Sequence, residues 1–201
     1  MDKYFYYSAN PLKINKKQIN KEMKKYMSDS DITKYLGKKF ENKIIKYSDI
    51  KKYNTISDLL PNRKNGLCKI ILIEDSYNSG HWISVLRIGK TIEYFNSYGA
   101  FPSVELDGNS YLKNAQLDQD VKYLNILLNK AYDDGYNVIY NKTKFQKLDD
   151  NIATCGRWNV LRCLMFDKYK MDLFQFINFI DDLKKKFDLT SDQLVTLLVS
   201  N

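Results

Sequence analysis

Gly80-His81-Trp82-Ile83-Ser84-Val85-Leu86-Arg87-Ile88-Gly89-Lys90-Thr91-Ile92-Glu93-Tyr94-Phe95 runs directly into Asn96-Ser97-Tyr98-Gly99. Two runs rich in β-branched and aromatic residues, Trp82 to Ile88 and Thr91 to Phe95, flank Gly89-Lys90, and a two-residue break containing glycine between such runs predicts a β-hairpin. His81 is the single histidine of the chain. A tight hairpin sets His81 and Asn96 at matching strand ends, where an imidazole beside a side-chain amide is half of a catalytic arrangement.

Upstream, Leu67 to Ile73 is a nearly continuous apolar run suited to the interior of a sheet, and Glu74 to Ser79 is a polar loop. Residues 12 to 27 read as a basic helix with Ile19, Met23 and Met27 at a four-residue interval. Ser28 to Asp31 offer N-caps for a short helix, Ile32 to Leu36, stopped by Gly37. Ser48 or Asp49, then Thr55 or Ser57, open further helical turns before the loop Pro61 to Gly66.

Downstream, the segment from Tyr98 to Asn114 reads as irregular. Asp118 to Asp133 carries a helical stripe ended by Gly135, and Tyr136 to Tyr140 reads as a strand. The pattern turns helical again at Cys155, and Leu173, Phe176, Ile177, Ile180, Leu183 and Phe187 mark the clearest amphipathic face. Thr190 or Ser191 caps a last helix. Strands gathered in the middle with helices at both ends predict an α+β domain. No Pro, Gly or Ser-rich linker divides the 201 residues, so one domain is expected over 1–201. Within it, 1–66 is a helical N-terminal part, 67–170 holds the chemical motifs and 171–201 the C-terminal helices.

The longest apolar run, Ile70 to Ile73, is far short of the roughly 20 residues that span a bilayer, and the N-terminus has no secretory pattern. The expected location is cytoplasmic or inside a particle, away from membranes. Cys68, Cys155 and Cys163 form no C-x-x-C pair, and with one histidine they make a poor zinc set, so no metal is expected. An odd cysteine count in such a compartment argues for free thiols. The net charge of +8 draws on lysines 13, 16, 17, 21, 24, 25, 38, 39, 43, 46, 51 and 52. Such a surface attracts polyanions in a salt-dependent way, or it simply solvates helix faces.

A thiol attacks as thiolate, and a helix N-terminus or an imidazolium lowers its pKa. Cys155 stands where a helix begins, between Thr154 and Gly156, whereas Cys68 in a strand and Cys163 in an apolar helix read as packing residues. Cys155, His81 and Asn96 then match a nucleophile, base and orienter triad. Gln146, in the polar approach to Cys155, can add a donor toward an oxyanion beside the Cys155 backbone N–H.

Gly80-His81-Trp82, then Glu93 to Gly99, then Gln146, then Thr154-Cys155-Gly156-Arg157-Trp158, in that order, resemble the adenain-type viral cysteine proteases. Those maturation enzymes of adenoviruses have relatives in virophages and polinton-like elements, and more distant kin among ubiquitin-like-protein proteases. The resemblance implies their fold, a central mixed β-sheet with flanking helices, and a viral maturation cysteine endopeptidase. Cys155 matches the nucleophile, His81 the general base, Asn96 the third member and Gln146 the oxyanion-hole glutamine. The third position is usually an acid in that family, which leaves Glu93 as a substitute orienter, and Gln146 precedes Cys155 by nine residues, slightly more than usual.

The implied substrates are capsid or other virion precursors cut after small residues such as Gly, in the virion, host cytoplasm or viral factory. No cofactor is required by the sequence, although the resemblance brings DNA or an activating peptide into question. Two other readings stand beside it: a deubiquitinase or deSUMOylase-like protease acting on host conjugates, and a non-catalytic basic nucleic-acid-binding virion protein.

Overall fold

The hairpin forms the middle of a sheet in the computed structural model, which describes residues 15–199. Its arms are β3 (Ser79–Ile88) and β4 (Thr91–Phe95), with Ile88 opposite Thr91 and Gly89 at φ +56°, a sign that a two-residue primed turn requires. On its other side β3 pairs antiparallel with β2 (Leu67–Ser76). The outer strands are β1 (Ile44–Lys46), parallel to β2, and β5 (Asn137–Tyr140), parallel to β4. The spatial order equals the chain order, β1-β2-β3-β4-β5, and the sheet is mixed. With helices before, between and after these strands, the fold is α+β, as the pattern of the chain predicts.

Both faces of the sheet are covered, which explains why Leu67 to Ile73 is apolar without alternation. On one face Ile71, Ile73, Ile83, Val85, Ile92 and Tyr94 pack with Leu124, Leu127, Leu128 and Ala131 of a helix at Tyr123–Asp133. On the other, Cys68, Ile70, Leu72, Trp82, Leu86 and Phe95 pack against the helix Cys155–Tyr169. Numbered in chain order, the helices are α1 (Lys16–Glu22), α2 (Asp29–Leu36), α3 (Ile56–Leu59), α4 (Tyr111–Gln116), α5 (Tyr123–Asp133), α6 (Cys155–Tyr169), α7 (Leu173–Phe187) and α8 (Ser191–Leu198). Ser28, Thr55, Asp172 and Thr190 each cap a helix reciprocally with the residue three positions on.

Several expectations change. The helix expected over 12–27 extends within the described residues only from Lys16 to Glu22. The next residues leave it because their carbonyls are taken by distant donors: Met23 O by the Ala153 N–H at 2.8 Å, Lys25 O by Arg157 at 2.7 Å and Met27 O by the Trp82 indole at 2.9 Å. They form a strap beside the start of α6. The helix expected from Asp118 begins at Tyr123, since the buried Gln119 side chain grips both backbone groups of Glu74 on β2. The irregular stretch after Tyr98 contains α4, capped by Ser110.

The expectation of three free thiols fails. Cys68 and Cys163 face each other across the interior, β2 against α6, and are joined as a disulfide with their Cα atoms 6.2 Å apart. Cys155 is the free cysteine. Among the described residues no helix is long and apolar enough to cross a membrane.

Candidate active site

Helix α6 is buried along its length from Cys155 to Phe166, an apolar rod between the sheet and the C-terminal helices. Its first turn lacks a side-chain cap, because the Thr154 hydroxyl donates to the buried carboxylate of Asp192. The first N–H groups are therefore left to other acceptors. Those of Cys155 and Gly156 point at the Cys155 sulfur, as does the N–H of Trp82 on β3. β4 ends opposite Ser84, so Trp82 lies beyond its last pair and the thiol takes the direction in which a strand would have continued. The Trp82 carbonyl accepts Asn159 Nδ2 at 2.7 Å, and that same amide nitrogen reaches Cys155 O at 2.8 Å. Asn159 thus rivets the strand to the helix at Cys155. Gly156 leaves room for the strap, for a Cβ there would stand 2.8 Å from Met27 Cβ.

His81 precedes Trp82 and projects to the opposite side of β3, the side of Ile83 and Val85. The register sets Asn96 one residue past the Phe95–Ser84 pair, a diagonal neighbour of His81 on the same face. His81 Nε2 and Asn96 Oδ1 are 2.9 Å apart. The Tyr98 backbone N–H also donates to Oδ1, at 3.0 Å, while Asn96 Nδ2 donates to the Tyr94 hydroxyl at 3.2 Å. Because Oδ1 only accepts, Nε2 carries the ring proton toward Asn96 and leaves Nδ1 as the basic nitrogen. Asn96 is held in turn by Asn141, whose side-chain oxygen accepts the Asn96 N–H at 2.8 Å and whose nitrogen donates to the Asn96 carbonyl at 2.8 Å.

Glu93 does not orient His81, contrary to the alternative raised by its position. It lies on the other face of β4, where its two oxygens take Arg162 Nε at 2.7 Å and Nη2 at 2.6 Å. A bidentate buried pair leaves that carboxylate no capacity for the imidazole.

Gln146 is buried against the segment that follows Asn96. Its backbone N–H donates to Ser97 O at 2.9 Å and its Oε1 accepts the Ser97 hydroxyl at 2.8 Å. Nε2 donates to the Tyr98 hydroxyl and to Ile152 O, each at 3.2 Å. The Tyr98 ring stacks on His81 with centroids 4.6 Å apart and planes inclined by 22°. All four sequence-derived residues therefore converge: His81 on Asn96 directly, Cys155 on the N–H of the residue after His81, and Gln146 through Tyr98. Tyr98, Asn141 and Asn159 were missed. Of these, Tyr98 alone had a local signal, its place two residues after Asn96.

Burial disfavours charge on both His81 and Cys155. Burial pushes His81 down to about 4, against the favourable bond from Asn96. Burial likewise raises the Cys155 thiol, and the three N–H groups aimed at the sulfur only partly offset it. Above its pKa the imidazole is a free base, and burial favours the protonated form of the thiol. Two clefts flank the centre, one of about 620 Å³ lined by Tyr26, Met27, Gly80 and Trp82, and one of about 640 Å³ lined by Tyr98, Gln146, Leu148 and Asp192.

Fold and site define an α+β protein in which a strand end and a buried helix start gather a cysteine, a histidine and two side-chain amides. The chain belongs to the family of protein V9 of the Sputnik virophage, to which it is 37% identical over 183 residues, 89% of this chain and 98% of V9. V9 is described only as an uncharacterized protein. No protein-family profile and no solved structure matches the chain.

Proposed function

We propose that the protein is a thiol endopeptidase of the adenain type that matures virion precursor proteins. The observation that carries this reading is the junction at His81-Trp82: the imidazole is oriented by Asn96 through Nε2 while the adjoining N–H is aimed at the Cys155 sulfur. Nδ1 takes the thiol proton as sulfur bonds to the scissile carbonyl carbon and the carbonyl π pair moves to oxygen. The tetrahedral species collapses by breaking the C–N bond, with His81 returning the proton to the leaving amine. Water, deprotonated by His81, then adds to the thioester carbon, the C–S bond breaks to release the acid, and His81 returns the proton to the Cys155 sulfur. The Cys155 N–H at the uncapped helix start is one donor for the oxyanion, and loss of such a donor costs on the order of 10²- to 10³-fold in rate.

Kinship with a virophage protein favours a virion precursor over host ubiquitin-like conjugates as substrate. The flanking clefts suit an extended segment laid across Cys155, with a small residue such as Gly preceding the cut. The nucleic-acid reading draws less support. Lys16, Lys25, Lys39, Lys46, Lys51 and Lys52, half of the lysines that suggested it, are each paired with a carboxylate. Co-expression with the capsid precursor tests the proposal: cleavage by the wild type and none by Cys155→Ala or His81→Ala is expected, and cleavage by either variant at the wild-type rate would refute it.

A further inference from the structure

We infer that Tyr98, through its hydroxyl, is the second oxyanion donor of this site and a catalytic residue, with Gln146 acting behind it as a positioning residue. The inference rests on the protease reading and revises one role within it. Gln146 has two amide hydrogens, and both are already directed inside the protein, one to the Tyr98 oxygen and one to Ile152 O. Its Oε1 is occupied by the Ser97 hydroxyl, so the amide cannot simply turn over. It has no hydrogen left for a substrate without breaking a bond it makes.

Tyr98 is in the converse position. Its oxygen accepts from Gln146, and among the described residues nothing accepts its own hydrogen. The residue is fixed by three contacts that involve neither the hydroxyl hydrogen nor each other: the stack on His81, the backbone N–H on Asn96 Oδ1 and the bond from Gln146. It is half-buried, stacked on His81, and lines the cleft of about 640 Å³ with Gln146, Leu148 and Asp192, so the residue is open to a group bound there. A donor that accepts one hydrogen bond while making another is polarised by the first. Burial, to which Cys155 and Asp192 add once ionised, pushes the phenol up to about 12, so the proton stays on oxygen through the working range.

The chemistry is balanced without a further reagent. As sulfur bonds to the carbonyl carbon, the π pair gathers on oxygen, which takes hydrogen bonds from the Tyr98 O–H and the Cys155 N–H; on collapse the pair returns to re-form C=O. The phenol proton is shared and never transferred.

Two probes separate this role from the reading beneath it. Iodoacetamide alkylates the thiol without an oxyanion, whereas a tripeptide aldehyde ending in glycinal adds the thiol across its C=O to give a hemithioacetal whose oxygen occupies the donor site. Tyr98→Phe keeps the aromatic stack and loses the hydroxyl. We expect His81-dependent alkylation of Cys155 to stay within about threefold of wild type, and aldehyde affinity to fall by about 100-fold, the size of a lost oxyanion donor. Gln146→Ala in the Tyr98→Phe background should weaken the aldehyde little further. Unchanged aldehyde affinity in Tyr98→Phe, or a large additional loss on removing Gln146, would overturn the assignment. Failure of wild-type Cys155 to alkylate selectively would overturn the protease reading itself. Should Tyr98→Phe fold poorly by thermal melting, 3,5-difluorotyrosine at position 98 replaces it: the more acidic phenol should tighten the aldehyde adduct, and no change would count against a donor.

Discussion

Two polar pairs sit back to back on the same hairpin. On one face of β4 Glu93 meets Arg162 in a bidentate ion pair sealed by the core. Beyond the strand end, on the other face, Asn96 meets His81, whose imidazole is held through Nε2 alone. The difference teaches where chemistry can reside: the ion pair consumes its donors and acceptors and fixes α6 against the sheet, while the neutral pair uses one atom of the imidazole and leaves the other to accept a proton.

Breaking the ion pair should give the largest effect on stability. Glu93→Ala strands the Arg162 guanidinium in the core and is expected to cost about 3–5 kcal/mol, whereas replacing both residues by Met should recover most of it. Thermal or denaturant melts read this directly. The corresponding change on the other face, Asn96→Ala, should lower peptidase activity by about 10- to 100-fold through loss of ring orientation, a magnitude typical of an outer partner, and destabilise by about 1–3 kcal/mol because Tyr98 N–H and His81 lose an acceptor.

Giving the neutral pair a charge sharpens the contrast. In Asn96→Asp the carboxylate favours imidazolium, so His81 should rise from about 4 and Cys155 should fall. Iodoacetamide inactivation at neutral pH should accelerate, and the acid limb of activity should move to higher pH; an unmoved limb would place the base elsewhere.

A smaller effect follows from linkage. The folded His81 sits near 4 and the unfolded residue near 6.5, so between these values the unfolded chain holds the extra proton and stability falls as the pH is lowered. Above the unfolded value the contribution of His81 is constant. The slope attributable to one such group is at most about 1.4 kcal/mol per pH unit, and His81→Gln should remove it from melts between those limits. Smallest of all, neutralising Lys16, whose partner Asp188 is fully exposed, should leave the melting temperature unchanged within error.

The hairpin, β2 and the caps at Ser28, Thr55 and Thr190 were legible because each depends on neighbours a few residues away. The placement of His81, Asn96 and Cys155 at strand and helix ends follows from the same local rules. Long-range partners were not legible. Strand β1 has three residues, too few for any periodicity, and exists because Ile44 and Ile45 lie beside Ile70 and Ile71. Cys68 and Cys163 are 95 positions apart. The strap at 23–27 abandons its helical period for donors supplied by Trp82, Ala153 and Arg157. Glu93 stood as a substitute orienter because the resembled family usually has an acid at the third position, but strand alternation turns it to the opposite face, where Arg162 waits. Asn141 clamps Asn96 across 45 residues, which no pattern along the chain records.

The most direct test is co-expression of the wild-type protein and of Cys155→Ala with the virus's own capsid precursor, followed by N-terminal sequencing of the products. Discrete cleavage after a small residue by the wild type and an intact precursor with Cys155→Ala are expected. The same fragments with both proteins, or no fragments with either, would contradict the protease reading.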